Sequence, residues 1–506
     1  MKKAVLCVAI AATMAPFSAY ATPLSSTKMW SFTNASITGQ TSEISAFDSQ
    51  TNTLWVAGVK GVDVINARTG SLVQHISTTS FGSINSVAIN NGIAAFAIES
   101  PTRTNAGVVK LYDTATRNLS SGVNSINVGA LPDMLTFTPD GKSLLVANEG
   151  TPNLSDYGTR IGTTVPRSYG APILDPVGSV SIIDMLSRSV VATPTLAGVL
   201  QTGTNIRTNT GMDFEPEYIA VNANGTKAFV GLQEANAIGI LDLQSRSCEK
   251  VVGLGTKDFN QVGNEIDPLN NGTVTFGNHN AKGLFMPDGL ATFERNGKTF
   301  IVMANEGDFR EDDGDRSAAS SVGAISPLNN LRISNTDSST GNLYSAGARS
   351  FSIRDAEGNL VYDSGSILDK EAHARGIYDD GRSRDKGVEP EGVEIMEIGG
   401  KTYAFVGLER TTKSAVAVFD ITDIEQVAFI DMIVTEQDLR PEGLEGFTMD
   451  GKYFLAITNE GNDNGGGIGT TLYQLSTVPE PESLALLFAG LAALRISRRK
   501  TKPAQA

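Results

Sequence analysis

Short apolar runs separated by glycine-containing turns dominate the middle of the chain. Residues 134–137, 144–147 and 180–183 are such runs, and a Pro-Asp-Gly-Lys turn at 139–142 separates the first two. Runs of four to six apolar residues between Gly and Asp turns are typical of β-strands, and helical periodicity is nearly absent. The pattern predicts an all-β core.

The same pattern recurs along the chain as a repeat. Each copy has an acidic start, an apolar strand, a turn with Gly and two further strands. Five clear copies start at residues 131, 214, 286, 389 and 440, and two weaker copies start at 53 and 86. Once insertions after Gly150, Gly307 and Gly365 are allowed for, seven units of about 50 residues predict a seven-bladed β-propeller. A pair of β-sandwiches is the alternative, but it does not require one signature seven times.

The last of these units lacks a strand. It begins at Arg440, and after the apolar run 471–475 the chain supplies no fourth strand. The segment 28–33 precedes the first unit, alternates apolar and polar residues and belongs to no unit. We therefore predict that this segment adds the outermost strand of the last unit, which removes an exposed sheet edge.

The first 21 residues have the order of a secretory signal peptide. Two lysines follow Met1, an apolar run covers 4–15, and the small residues Ala19 and Ala21 end the segment. This order predicts export with cleavage after Ala21. A short buried element of the fold is the alternative.

The C-terminal segment 478–506 has three parts. Pro479, Glu480 and Pro481 come first, the apolar stretch 484–494 follows, and a basic cluster ends the segment. As a helix, about eleven residues rise roughly 16 Å against roughly 30 Å of hydrocarbon, which predicts a short apolar transmembrane helix with only transient membrane contact. The order resembles the PEP-CTERM family of sorting tails. This resemblance implies an exosortase as processing partner, and an ordinary C-terminal anchor is the alternative.

The chain is acidic, with a formal net charge of −15. The two terminal segments carry seven basic residues and two acids, so the region 22–477 is more negative than the whole chain. This charge disfavours nucleic acid as a partner and favours cations. Of the two cysteines, Cys7 lies in the signal segment, so Cys248 has no disulfide partner and the core must hold the fold.

Acidic residues recur at two positions of the repeat, one at the start of the first strand and one after the second strand. Because these strands are antiparallel, both sets come to one rim, where the repulsion favours protonation, paired arginines or a bound hard cation. We expect calcium there, with Asn148, Asn305 and Asn459 as neutral ligands. The alternative is that each acid accepts backbone N–H groups at its turn. The candidate metal ligands are Asp133, Glu149, Glu217, Glu234, Asp288, Glu306, Glu391, Glu409, Glu442 and Glu460.

Arginines near these acids form a second candidate group. Arg310, Arg410 and Arg440, with Arg316, either neutralise the acids or bind an anionic group through bidentate contacts. The three histidines lack metal-ligand spacing, and the chain contains no Gly-x-Ser-x-Gly sequence. No catalytic residue is assigned.

Several long strings in the region 22–477 resemble the choice-of-anchor I family of surface propellers. They lie at 132–141, 148–150, 286–288, 304–308, 349–353, 389–392 and 407–410. The resemblance implies a propeller fold and a place at the cell surface or in the extracellular matrix of a Gram-negative-type bacterium.

Two functions are compatible with these expectations. The first is a noncatalytic protein that presents its loops to an exopolysaccharide or another surface protein. The alternative is a calcium-dependent phosphoester hydrolase, because acid-rimmed propellers that resemble phytases and some alkaline phosphatases bind phosphate through cations.

Overall fold

The structure is a computed structural model that describes residues 24–151, 176–207, 214–309 and 316–477. Residues Ser26–Ser476 form one contact unit, and the second unit, Met1–Ser25 with Thr477–Ala506, is described only at Leu24, Ser25 and Thr477. Strands make up nearly all the regular structure of the described residues. The helical elements are α1 (Ile367–Ala374) and the 3-10 helices Ala319–Val322, Leu328–Asn330 and Asp380–Arg382. The predicted all-β class is confirmed.

The described chain forms seven sheets of four or five strands, which we number 1 to 7 in chain order. The first strand is β1 (Leu24–Phe32), and sheet 1 contains β2 (Ser45–Asp48), β3 (Thr53–Gly58), β4 (Gly61–Asn66) and β5 (Leu72–Ser77). Sheet 2 contains β6 (Ile84–Asn90), β7 (Ile93–Ile98), β8 (Ala106–Asp113), β9 (Asn118–Leu119) and β10 (Ser125–Ala130). Sheet 3 contains β11 (Pro132–Phe137), β12 (Ser143–Asn148), β13 (Ser179–Asp184) and β14 (Ser189–Ala192).

The second half of the chain continues the series, with short strands between the sheets. Sheet 4 contains β15 (Leu200–Thr204), β16 (Ile219–Val221), β17 (Lys227–Leu232), β18 (Ala237–Asp242) and β19 (Ser247–Leu254). Between sheets 4 and 5 lie β20 (Thr256–Asp258) and β21 (Lys282–Leu284). Sheet 5 begins with β22 (Leu290–Arg295) and β23 (Lys298–Asn305). An insertion follows with β24 (Arg316–Ala318), β25 (Arg332–Ser334) and β26 (Tyr344–Ser345). Sheet 5 then ends with β27 (Ser350–Asp355) and β28 (Leu360–Asp363).

The last two sheets follow helix α1. Sheet 6 contains β29 (Pro390–Ile398), β30 (Lys401–Leu408), β31 (Ser414–Asp420) and β32 (Ala428–Thr435). Sheet 7 contains β33 (Pro441–Met449), β34 (Lys452–Asn459), β35 (Gly469–Thr477) and the N-terminal β1.

The core lies between the faces of neighbouring sheets. Phe351 of sheet 5 and Phe419 of sheet 6 are fully buried, and their ring centroids are 4.5 Å apart. The second and third strands of sheet 6, β30 and β31, are buried on both faces, which explains why their sequences are nearly continuous apolar runs instead of alternating patterns.

The first strands of the sheets contact each other in a cyclic order, with β16 in this position in sheet 4 because β15 lies at the outer edge of that sheet. The contacts run from β2 to β6, β11, β16, β22, β29 and β33, and β33 returns to β2. All seven first strands therefore lie around one axis, and the arrangement is propeller-like.

Insertions decorate sheets 4 to 6. Those predicted after Gly307 and Gly365 are present, whereas most of the one predicted after Gly150 lies outside the described residues. A further insertion, which the repeat pattern does not predict, lies between β19 and β22. It shares a small apolar cluster with the insertion of sheet 5, and Phe259, Leu331 and Ile333 are fully buried there.

The N-terminal strand completes sheet 7, as predicted. Strand β1 pairs with β35 as the outermost strand, and the hydroxyl oxygens of Ser31 and Thr471 are 2.8 Å apart. The indole nitrogen of Trp30 donates to the carbonyl oxygen of Ala67 in the turn after β4, at 2.9 Å. The Trp30 ring packs on the apolar cluster that sheets 1 and 7 share. The strand thus joins the first and last sheets.

Both predicted targeting segments lie outside the described residues. These are the signal segment with Ala19 and Ala21 and the tail with Pro479, Glu480 and Pro481. Among the residues that are described, no helix has the length and apolar character needed to cross a membrane.

Replacement of Trp30 tests the contribution of β1. We expect Trp30→Ala to lower the free energy of unfolding by about 2–3 kcal/mol, somewhat less than for a fully buried Trp, because it removes the ring from the contact between sheets 1 and 7. Met29 is 47% exposed on the opposite face of the strand, and Met29→Ala is the matched control. Urea unfolding of the two variants measures the difference. Equal stabilities would contradict this role of the strand.

Candidate functional site

A cavity of about 490 Å³ lies at the rim where the first strands begin. Lys386 and Arg410 are the basic side chains that line it. The eleven acids that line it are Glu43, Asp133, Glu149, Glu217, Asp288, Glu306, Asp308, Glu391, Glu409, Glu442 and Glu460. Nine of the ten predicted metal ligands therefore line one cavity, and the tenth, Glu234, has a carboxylate oxygen within 4.8 Å of oxygens of Glu149 and Glu217. Metal binding by these residues stays a prediction.

The antiparallel register brings the two sets of acids together. Pro132 at the start of β11 pairs with Asn148 at the end of β12, so the residues that follow them, Asp133 and Glu149, lie at the same rim. Sheets 6 and 7 repeat this register in the pairs β29 with β30 and β33 with β34.

Backbone strain marks the same positions in four repeats. The residue before the Pro has a left-handed backbone although it is not glycine, with φ of 45° at Leu131, 45° at Met286, 52° at Glu389 and 55° at Arg440. Such a conformation costs about 1–3 kcal/mol and tends to persist at functional sites. In sheets 3, 6 and 7 the register shifts directly after the Pro, as a β-bulge does, and bulges redirect side chains.

Glycine after the acid allows neighbouring first strands to approach closely. A Cβ atom at these positions would lie far inside van der Waals distance of a carbonyl oxygen in the next sheet. The contacts are Gly289 with Glu391 at 2.4 Å, Gly392 with Glu442 at 2.4 Å and Gly443 with Glu43 at 2.5 Å. Since each of these carbonyls belongs to an acid, the glycines bring the acids of successive sheets close to each other.

Among the described residues, carboxylate oxygens gather in three clusters, each with ligand atoms within 4.8 Å of one another. The clusters are Glu149 with Glu217 and Glu234, Asp288 with Glu306 and Glu391, and Glu306 with Glu389 and Glu409. The Oε2 atoms of Glu217 and Glu391 are buried and accept no hydrogen bond from the described residues. Hydrogen bonds from backbone N–H groups at the turns therefore do not account for these two oxygens, whereas a bound cation would use them as ligands.

Basic side chains neutralise the third cluster. The ammonium of Lys386 lies 2.6 Å from Glu306 Oε1 and 2.9 Å from Glu389 Oε2. Arg382 donates to Glu389 Oε1 at 2.5 Å, and Arg410 lies 2.6 Å from Glu409 Oε1. Burial opposes ionisation of Glu389, but Lys386 and Arg382 outweigh that effect and lower its pKa.

Other acids of the cavity hold their protons more tightly than in water, and burial raises the pKa of Glu306, and that of Glu409 to about 8, despite their basic neighbours. Burial first, and then repulsion from neighbouring acids, raises the pKa of Glu217, Glu391 and Glu442 well above the ordinary value. The pKa of Glu43 rises to about 7 for the same reasons. Without bound cations, some of these acids therefore remain protonated near neutral pH.

The three predicted neutral ligands are held by hydrogen bonds inside their own sheets, and metal binding by them stays a prediction. Asn148 and Asn305 are fully buried, and their amide nitrogens donate to the hydroxyls of Ser181 at 3.0 Å and Ser352 at 3.2 Å. Asn459, also fully buried, donates to a carbonyl oxygen of β35 at 3.1 Å. All three side chains tie a second strand to its third strand.

The candidate anion-binding arginines are engaged with acids where they are described. Arg410 lines the cavity, and Arg440 lies outside its wall, with Nη1 2.8 Å from Asp463. Arg316 is 3.4 Å from Asp385, and Arg310 lies outside the described residues. Anion binding by these residues stays a prediction.

The repeat pattern does not predict several residues of the cavity, among them Glu43 and Lys386. Glu43 stands two residues before β2, the same offset that Glu217 has before β16 and Asp288 before β22, and this offset was the signal that would have found it. Lys386 carried no such signal, because its place in the cavity depends on how an insertion folds.

The chain matches the choice-of-anchor I domain family over residues 43–424. The protein belongs to this family. Residues 477–500 of this choice-of-anchor I protein match the PEP-CTERM protein-sorting motif, which implies processing by exosortase-type sorting machinery. It is an exported cell-surface protein of a Gram-negative-type bacterium, as predicted. No curated protein matches its sequence.

Solved structures with distant similarity include three from different assemblies. A chain of hydrazine synthase from Kuenenia stuttgartiensis is 12% identical with a TM-score of 0.46, covering 85% of this chain and 95% of that one. A chain of the mitotic checkpoint complex is 11% identical with a TM-score of 0.46, covering 95% and 100%. The WD40 domain of Toxoplasma gondii coronin is 9% identical with a TM-score of 0.43, covering 91% and 88%.

Glu445 offers a test of the buried charge along the axis. It lines a second cavity of about 380 Å³, which shares Tyr218 and Glu442 with the first, and it accepts a hydrogen bond from the Phe47 backbone N–H at 2.9 Å. Burial raises the pKa of Glu445 from 4.5 to about 7. Its proton therefore contributes stability that is fully present below pH 4.5 and is lost as the pH rises through about 7.

We expect Glu445→Gln to reduce this pH dependence, because the amide oxygen still accepts from Phe47 but carries no titrating proton. In chelator, the free energy of unfolding of the wild-type protein should fall between pH 4.5 and 7 more steeply than that of the variant. The difference should reach a few kcal/mol at most, since one pKa unit corresponds to about 1.4 kcal/mol. Unfolding titrations across this pH range measure it, and equal slopes would contradict the assignment.

Proposed function

We propose that this choice-of-anchor I protein is a seven-bladed propeller that binds a hard divalent cation, calcium by preference, in its axial acidic cavity. It acts at the cell surface as a noncatalytic binding protein. The observation that carries the proposal is the cavity itself, where eleven acids face Lys386 and Arg410.

The seven sheets of the described chain support the blade number. Their first strands contact one another in a cycle that closes between β33 and β2. The pairing of β1 with β35 adds a fourth strand to sheet 7 and lets the N-terminal and C-terminal parts of the chain share one blade.

The ligand types in the cavity support calcium. Calcium takes six to eight oxygen ligands in a flexible geometry, and carboxylates are its main protein ligands. The cavity supplies carboxylates from several sheets, including the buried Oε2 of Glu217, which accepts no hydrogen bond from the described residues. A bound cation would stabilise the ionised acids and relieve the repulsion among them.

The open rim supports a binding role. A cation held by three carboxylates keeps coordination positions for water or for oxygens of a partner. Carboxylate and hydroxyl oxygens of an acidic exopolysaccharide fit those positions, and the cation removes the repulsion that the acidic surface would exert on such a polymer.

Glu217 is the residue with which to test cation binding, because it belongs to one carboxylate cluster and has a buried oxygen without a hydrogen bond from the described residues. We expect calcium to raise the melting temperature of the purified protein and Glu217→Gln to weaken calcium binding at least tenfold. Stabilisation reaches about 2.7 kcal/mol at a calcium concentration of 100 times Kd. Glu249→Gln, an exposed acid of the same sheet that pairs with Lys227, is the control.

Calorimetric titration and melting curves with and without chelator make this measurement. An unchanged melt in chelator, together with no copurifying divalent ion, would contradict cation binding. The alternative prediction of a calcium-dependent phosphoester hydrolase is examined in the same preparation. Release of product from phosphomonoesters, phosphodiesters or phytate by the calcium-loaded protein would replace the noncatalytic proposal.

Removal of the C-terminal tail is a separate prediction. The PEP-CTERM motif at 477–500 leads us to expect that the surface-exposed protein ends before the basic cluster of the tail. Intact-mass spectrometry of protein released from the cell surface identifies the terminus. A C-terminus at Ala506 would count against removal.

A further inference from the structure

Lys386 is a buried base inside the acidic cavity. It belongs to the segment between α1 and β29, and only 5% of the residue is exposed. Its ammonium contacts acids from two sheets, Glu306 at the end of β23 and Glu389 directly before β29. A charged side chain of this chain thus lies where a cation bound from solution would find its ligands.

The backbone around Lys386 is held by buried contacts. The Arg349 guanidinium donates to the carbonyl oxygens of Ser383 at 2.6 Å and Asp385 at 3.0 Å. Asp369 accepts from the Val388 N–H at 3.1 Å and lies 3.6 Å from Arg349. Because both flanks of Lys386 are held in place, little further ordering of the chain is required to keep the ammonium in the cavity.

Lys386 pairs with the one residue that two of the three carboxylate clusters share. Glu306 belongs to both, and each of its oxygens is engaged, Oε1 by Lys386 and Oε2 by the Gln233 amide at 2.8 Å. A divalent ion in either cluster would have to displace the ammonium or approach it closely. Among the described residues, the ion pairs of Lys386 are with Glu306 and Glu389, and neither acid belongs to the cluster of Glu149.

We propose that Lys386 is a built-in cation that closes the Glu306 side of the cavity to divalent ions and leaves the cluster of Glu149, Glu217 and Glu234 to bind one. The proposal rests on the proposed cation-binding function and adds the number and place of the ions. Without the ammonium, Asp288, Glu306 and Glu391 form a second set of three carboxylates, and Glu391 already presents a buried oxygen without a described hydrogen bond.

The test counts the calcium ions in the wild-type protein and in Lys386→Met, which has a similar length and no charge. Calorimetric titration with calcium chloride, with metal analysis after gel filtration, gives the stoichiometry. We expect one ion in the wild-type protein and two in Lys386→Met. Lys386→Arg is the matched control, because it keeps the positive charge, and we expect one ion there.

The outcomes separate the two proposals. One ion in both wild type and Lys386→Met overturns the role of Lys386 and leaves the cation site standing. Calcium in Lys386→Met but not in the wild type supports Lys386 as the built-in cation and overturns calcium binding by the natural protein. Calcium in neither protein overturns both.

A double variant keeps the test decisive if the single variant folds poorly. Glu306→Gln with Lys386→Met removes the buried pair together and breaks the second set of carboxylates, so we expect one ion and a melting temperature above that of Lys386→Met in chelator. Calcium should raise the melting temperature of Lys386→Met more than that of the wild type. Two ions in the double variant, or no calcium rescue of Lys386→Met, would overturn the proposal.

Discussion

Repulsion among carboxylates around the axis is the constraint on which the rest of this structure depends. Two unit charges 4 Å apart repel by about 4 kcal/mol at the effective dielectric constant of a protein surface, and eleven acids line this cavity. The glycines after Asp288 and Glu391 bring the backbones of successive sheets into contact at this place. The fold therefore concentrates negative charge and must also neutralise it.

Neutralisation comes from the insertions and from protons. Lys386 and Arg382 belong to the segment between α1 and β29, which Arg349 holds against the core of sheet 5, and they keep Glu389 ionised. Burial raises the pKa values of Glu217 and Glu391, and also those of Glu306 and Glu409 in spite of their basic neighbours. The segment between α1 and β29 thus changes the charge of the acids around the axis. A divalent cation would replace the protons on the remaining acids.

The cellular location agrees with this electrostatic account. Extracellular calcium modules have dissociation constants of about 10⁻⁴–10⁻³ M, which is the range to expect for the proposed site of an exported protein. The N-terminal strand β1 and the C-terminal strand β35 lie in one sheet, so the sorting tail follows directly from the strand pair that joins the first and last sheets.

Local and repeated features were accessible from the sequence alone. The apolar runs, the Gly turns and the Pro-acid starts determined the strands, the repeat and the common rim of Asp133 and Glu149, because antiparallel pairing of adjacent strands follows from short turns. The segment 28–33, which belongs to no repeat, could also be assigned to the last sheet, because that sheet lacked a strand. Only the tertiary structure decided that Asn148 and Asn305 face their own sheets, that an insertion follows β19, and that Lys386 enters the cavity. These facts depend on contacts between residues far apart in the chain, which no local pattern of polarity encodes.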